Sequence, residues 1–143
     1  MTEVNFKYAI TGDVLQNYIN GTYKPRTVWE RVFLLLKSKG VDVYSPGQRK
    51  GKCTSPYVVI KNTGTLGFEG SNQIGSQAID VIIYYPSTNY SGTETFTNQI
   101  QDFLRELKQY IRPTGTITPV ILDSSVEGYT QSIEYQTFQR LRR

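Results

Sequence analysis

Apolar positions along this chain fall into two periods, and each predicts its own elements. Val28, Val32, Leu35 and Leu36 recur at helical spacing and share one face. The preceding Thr27-Val-Trp-Glu30 is a capping-box pattern, in which the Thr27 hydroxyl and the Glu30 carboxylate each satisfy an orphan backbone N–H. Lys37 and Lys39 suit the carboxyl end, and Gly40 can take the left-handed conformation that stops a helix over 28–38. Phe96, Ile100, Phe103, Leu104, Leu107 and Ile111 mark a second, longer helix over 92–111. Its start is read at Ser91-Gly-Thr-Glu94, another capping box, and Pro113 stands just beyond its end.

A period of two dominates 77–85, with Ile79, Val81, Ile83 and Tyr85 on one face and Ala78, Asp80, Ile82 and Tyr84 on the other, until Pro86 ends the strand. Shorter strands are predicted at 41–44, 57–61, 117–122 and 132–141; Pro119 demotes the third to an edge. Residues 1–26 read as an irregular arm with room for a short helix over 14–19, and 45–56 as a loop. The Gly/Ser/Thr/Asn-rich stretch 62–76 reads as a fifteen-residue connector. The order α, β, β, β, α, β, β gives an α+β fold, a mostly antiparallel four- to five-stranded sheet with two helices packed on one face. The expected organisation is a 1–26 arm followed by one domain over 27–143.

A chain of 143 residues is the size of one domain. Its longest apolar runs, 32–36 and 81–85, are far below the ~18 residues needed to span a bilayer. Residues 1–10 lack the continuous apolar stretch of a secretory signal, so a soluble chain with no membrane partner is expected. Histidine is absent and Cys53 is the sole cysteine. That excludes Ser-His and Cys-His nucleophile pairs, multi-thiolate metal sites and internal disulfides. Gly64-x-x-Gly67-x-x-Gly70 is no phosphate loop, since it lacks a following Lys-Ser/Thr and leads into a strand instead of a helix. Asp80, Asp102, Glu106 and Glu134 are the only acids on regular elements where a metal-dependent phosphoesterase would want them, and they lack convergent spacing. Asp102 and Glu106 form a mildly repulsive i,i+4 pair. The expectation is a non-enzymatic protein without cofactor or metal.

The net charge of +4 conceals an asymmetry. Residues 1–61 hold ten Lys/Arg against four Asp/Glu, and 62–139 hold three against eight; Arg140, Arg142 and Arg143 follow. A basic front and tail around an acidic middle suits head-to-tail matching between copies, or a basic edge presented to nucleic acid; alternatively folding intermixes these charges into a solvated surface. Arg49, Lys50 and Lys52, with Lys61 on the next strand, are the densest basic cluster and, with the terminal arginines, the candidate contacts to DNA or a partner. Eleven tyrosines exceed what a core requires. Tyr84, Tyr90, Tyr129 and Tyr135, with Gly67, Phe68 and Glu69 of the glycine-rich stretch, are candidate subunit-interface residues, edge-of-core packing being the alternative for the tyrosines.

Residues 29–143 resemble the tail terminator, or tail completion, proteins of long-tailed bacteriophages, which are also described as head–tail joining or minor capsid proteins. The resemblance lies in an ordered pattern. It comprises the 28–38 helix ending Lys-Ser-Lys-Gly before Val-Asp-Val-Tyr, Pro-Tyr-Val-Val-Ile-Lys at 56–61, Ile-Asp-Val-Ile-Ile-Tyr-Tyr-Pro at 79–86, the 92–111 helix, and Val126-Glu-Gly-Tyr129 leading to Ser132-Ile-Glu-Tyr135. It implies a virion protein of the tail or neck, assembled in the host cytoplasm. Such a protein forms a ring, usually a hexamer, on the head-proximal end of the tail tube; it ends tube polymerisation and offers the face on which the head connector docks. The implied partners are further copies of itself, the tail tube protein, the connector or stopper protein, and DNA passing through the lumen without sequence specificity. The arm at 1–26 and the long 62–76 stretch depart from the pattern and leave a stopper or adaptor ring of the neck as an alternative. A small nucleic-acid-binding domain using the 48–52 loop is another.

Overall fold

The structure is a computed structural model that describes residues 12–67 and 74–140. Its elements are α1 (Gly12–Ile19), α2 (Val28–Ser38), β1 (Val43–Tyr44), β2 (Tyr57–Gly67), β3 (Ile74–Pro86), α3 (Tyr90–Leu104) with a 3₁₀ turn at Arg105–Leu107, β4 (Arg112–Ile117), β5 (Ile121–Asp123) and β6 (Gly128–Arg140). The predicted α+β class holds: three helices and one six-stranded, mostly antiparallel sheet stand among the described residues.

The sheet runs β1-β2-β3-β6-β4, with β5 beside β4 on the same outer edge of β6. Only the β1–β2 pair is parallel. Ile60 lies opposite Val81, and Val81 opposite Ile133, so the inward positions of three strands form continuous rows. Against them pack Val32, Phe33, Leu35 and Leu36 of α2 and Ile100 and Leu104 of α3, all buried. Among the described residues the other sheet face carries no helix.

Helix α2 starts as its sequence demands, with the Glu30 N–H donating to Thr27 Oγ1 at 3.1 Å. The return bond of the capping box shifts by one residue: Glu30 Oε1 accepts from the Arg26 N–H at 2.7 Å, while Oε2 accepts from the Tyr23 hydroxyl at 2.9 Å. One carboxylate thus fastens the arm to α2. Gly40 has φ of 84°, the conformation expected of a helix stop.

Three expectations need correction. Helix α3 begins two residues before the predicted 92, capped by Asn89, whose side chain accepts from the Gly92 N–H at 3.1 Å; Ser91 lies inside the helix. It also ends at Leu104: Leu107 and Ile111 reach the core from a 3₁₀ turn and from the residue just before β4, while keeping helical spacing in sequence. The predicted 117–122 strand is two strands, β4 and β5, and β4 carries Pro113 on the sheet's edge. The described parts of the 62–76 stretch are strand: β2 continues to Gly67 and β3 starts at Ile74, and residues 68–73 lie outside the described residues. Gly64, at φ of 120°, accommodates the register shift between Asn62 and Gly64 that lets the pairing go on. Together with the carboxyl end of β6 these segments make a three-stranded ribbon that continues past the core residues Ile60, Ile79 and Tyr135.

Candidate functional site

The sequence grouped Arg49, Lys50, Lys52 and Lys61 with the terminal arginines, but the fold separates them. The 45–56 loop is tied to the β5–β6 turn by Cys53 N–H to the Val126 carbonyl at 2.7 Å. The Arg49 guanidinium turns back, donating to the carbonyls of Lys50 and Lys52 and lying 4.8 Å from the centre of the Tyr57 ring. Lys52 pairs with Glu127 at 3.4 Å, leaving Lys50 as the outermost cation of the loop. Arg140 is at the far end of β6, opposite Ile74, roughly 40 Å from Gly128 at ~3.3 Å per residue. Arg142 and Arg143, like Phe68 and Glu69, lie outside the described residues.

Lys61 belongs to a different feature. On the helix-free face, the register places Lys61, Asp80 and Glu134 side by side across β2, β3 and β6. Thr114 Oγ1 donates to Glu134 Oε1 at 2.7 Å. Partial burial raises the Asp80 carboxyl above the usual range, Glu134 adds to the rise, and Lys61 opposes it. Higher on this face the Tyr57 and Tyr84 rings stack 4.7 Å apart. Burial pushes the Tyr57 phenol up to about 12. Among the described residues, no group of three or more Cys, Asp or Glu side chains could hold a metal ion. Asp102 and Glu106 do not oppose one another as neighbours alone: Asp102 pairs with Arg105 at 3.3 Å and Glu106 with Lys39 at 2.6 Å.

The candidate interface residues also divide. Tyr135 is only 5% exposed and pushed up by burial to about 12, so its ring fills the core and offers no surface to a neighbour. Tyr84 and Tyr129 are half-buried, while Tyr90 is exposed and meets Tyr129 edge-on at 5.0 Å. Gly67 lies opposite Gly75 on the ribbon.

Sequence reasoning placed 117–122 at an edge or as an irregular strand, but missed the groove beside it. A groove of about 290 Å³ runs between α3 and this edge, lined by Tyr90, Thr93, Glu94, Thr97, Ile117, Val120 and Gln131, among others. Thr97 donates to the Gln131 side-chain oxygen at 3.0 Å, and the Gln131 amide donates to the Thr118 carbonyl at 2.9 Å, so a hydrogen-bonded chain fixes the groove floor. Thr93 Oγ1, buried in the wall, has no hydrogen-bond partner. Beside the groove, β5 presents Ile121 and Leu122, both 58% exposed. A sequence signal existed: three large aliphatics on an edge segment interrupted by Pro119.

A second, more open cleft of about 540 Å³ separates α1 and the arm from α2. Tyr18, Ile19, Tyr23, Lys24, Arg31, Lys39 and Glu106 are among its lining. Arg31 lies 3.8 Å over the exposed Tyr110 ring. No helix among the described residues is long and apolar enough to cross a membrane. Comparison of the sequence with protein-family models and with curated proteins returns no match.

Proposed function

We propose that this chain is a structural subunit of a ring that caps the head-proximal end of a bacteriophage tail tube, ending polymerisation of the tube and receiving the head connector. The reading rests on the resemblance of residues 29–143 to tail terminator proteins. The observation that carries it on the structural side is the three-stranded ribbon of 61–67, 74–78 and 136–140. Its sequence is mostly Thr, Ser, Gln, Asn and Gly, and it runs past the helices that provide the core. Small sets of mostly polar strands are marginal on their own, so such a ribbon is suited to being completed by a neighbour. Its margins suit that purpose: β1 pairs with β2 at Val58 and Val59, and the pairing of β4 with β6 starts at Gln136.

In this role the protein works in the virion tail or neck and assembles in the host cytoplasm. Its action is assembly, not chemistry, and DNA passes its lumen without sequence-specific contact. Native mass spectrometry and negative-stain electron microscopy, on the protein alone and mixed with its tail tube protein, test the proposal. The expected result is a closed ring of one subunit number with a central opening, seated on tube ends. A protein that stays monomeric both alone and with the tube protein refutes it.

A further inference from the structure

The six large hydrophobic side chains exposed among the described residues are not scattered. Tyr90, Ile117 and Leu122 gather on the groove side of the β4–β5 edge and the adjoining start of α3, with Ile121 on the opposite face of β5. Ile19 and Tyr110 flank the α1–α2 cleft, Ile19 in its wall and Tyr110 beneath Arg31. Isolated exposed apolar residues need no explanation, but a cluster on an open sheet edge marks an association surface.

The charge around the two patches is opposite. Glu94 is the one charged residue lining the groove, and it has no ion-pair partner among the described residues. Lys24, Arg31 and Lys39 line the cleft against the single acid Glu106, which Lys39 already engages. The patches also belong to different halves of the molecule. The groove lies along the β6 margin beneath α3, whereas α2, which carries α1, packs on β1 and β2 at the other margin. A surface that fits a different surface of the same molecule makes a heterologous contact, and repeated copies of such a contact form a ring when the rotation closes.

We propose that the β4–β5 edge and α3 groove of one copy seat on the α1–α2 face of the next, with Leu122 against the apolar rim at Ile19 and Glu94 facing Lys24. This rests on the ring reading above and names its subunit contact.

Two sets of variants test this contact, each first checked to unfold at the wild-type midpoint. Charge reversal by Glu94→Lys or by Lys24→Glu is expected to weaken assembly at least tenfold at low ionic strength, and the double variant to recover to within threefold of wild type. Under mild oxidation, Leu122→Cys mixed with Ile19→Cys is expected to give a disulfide-linked pair, while either alone gives none; the buried Cys53 of the wild-type chain provides the baseline. Self-linking of Leu122→Cys alone, or assembly indifferent to both reversals, overturns this contact and leaves the ring reading standing. A Leu122→Cys/Ile19→Cys chain that links into an open ladder, instead of stopping at one subunit number, supports the contact and removes the ring.

Discussion

Replacing Gly128 by Ala isolates the junction that positions the basic loop against the sheet. A Cβ at 128 would lie 2.8 Å from Cys53 Cβ, 3.0 Å from the Tyr85 carbonyl oxygen and 3.3 Å from Cys53 Sγ. Carbon atoms in contact prefer about 3.5–4.0 Å, so something must move. The Tyr85 carbonyl is held in the β3–β6 ladder, where Pro86 pairs with Gly128 and Tyr85 with Tyr129. Cys53 is held by its N–H bond to the Val126 carbonyl at 2.7 Å. Overpacking a constrained site costs about 1–3 kcal/mol, and two neighbours fixed by backbone bonds place Gly128→Ala at about 2–3 kcal/mol. The position is not one of positive φ, so the cost is steric and not conformational. Urea unfolding followed by circular dichroism measures it. The closest atom is a Cβ, so Cys53→Ala leaves the clash in place and should not rescue, whereas Cys53→Gly should recover part of the loss. A Gly128→Ala protein within ~0.5 kcal/mol of wild type, or one rescued equally by Cys53→Ala, refutes the reasoning.

Asp80 predicts a pH dependence of known sign. Its folded pKa is raised above the unfolded value, so ionised Asp80 reduces stability, and that penalty grows as pH rises from the ordinary carboxylate range through the raised value. Asp80→Asn should therefore raise the melting temperature at pH 7 and leave it nearly unchanged at pH 3, a difference measurable by calorimetry. Glu127 has φ of 53°, a conformation that costs a non-glycine residue about 1 kcal/mol, and its ion pair with Lys52 is exposed and of little worth. Glu127→Gly should accordingly hold or raise the urea midpoint, and a clear fall would count against the relief of strain. Because Glu30 fastens both Arg26 and Tyr23, Glu30→Ala should speed tryptic cleavage after Arg26, the site after Lys24 being blocked by Pro25; unchanged digestion would show that the arm is held by other contacts.

What the sequence made legible was whatever had to bury an apolar face. Helix α2 and the centre of β3 were readable because Val32, Leu36, Ile79, Val81 and Ile83 pack on one core. The ribbon was not, because its sequence is mostly polar and glycine and lacks apolar alternation, and the glycine that looks like a loop signal at position 64 instead serves a bulge. Leu107 and Ile111 kept α-helical spacing without lying on an α-helix, since burial constrains where a side chain arrives and not the path that brings it there. At the surface, the spacing of Arg49 to Lys52 told nothing of the inward turn of Arg49 or the pairing of Lys52. The edge at 117–122 was foreseen, but its division into β4 and β5 was not: residues 118–120 attach to β6 through Thr118, whose Oγ1 accepts from the Ser132 N–H, so two short segments act as one edge.

The place of β6 in the sheet bears on how the chain comes into being. Strands β4 and β5 hydrogen-bond to β6 and to no other strand, and β3 needs β6 for its second edge, yet β6 is synthesised after all three. A chain emerging from the ribosome therefore holds its outer margin unformed until β6 is out of the exit tunnel. If that margin is the docking edge, nascent chains on one messenger are barred from coupling to their neighbours prematurely, and association becomes a property that only a completed sheet acquires.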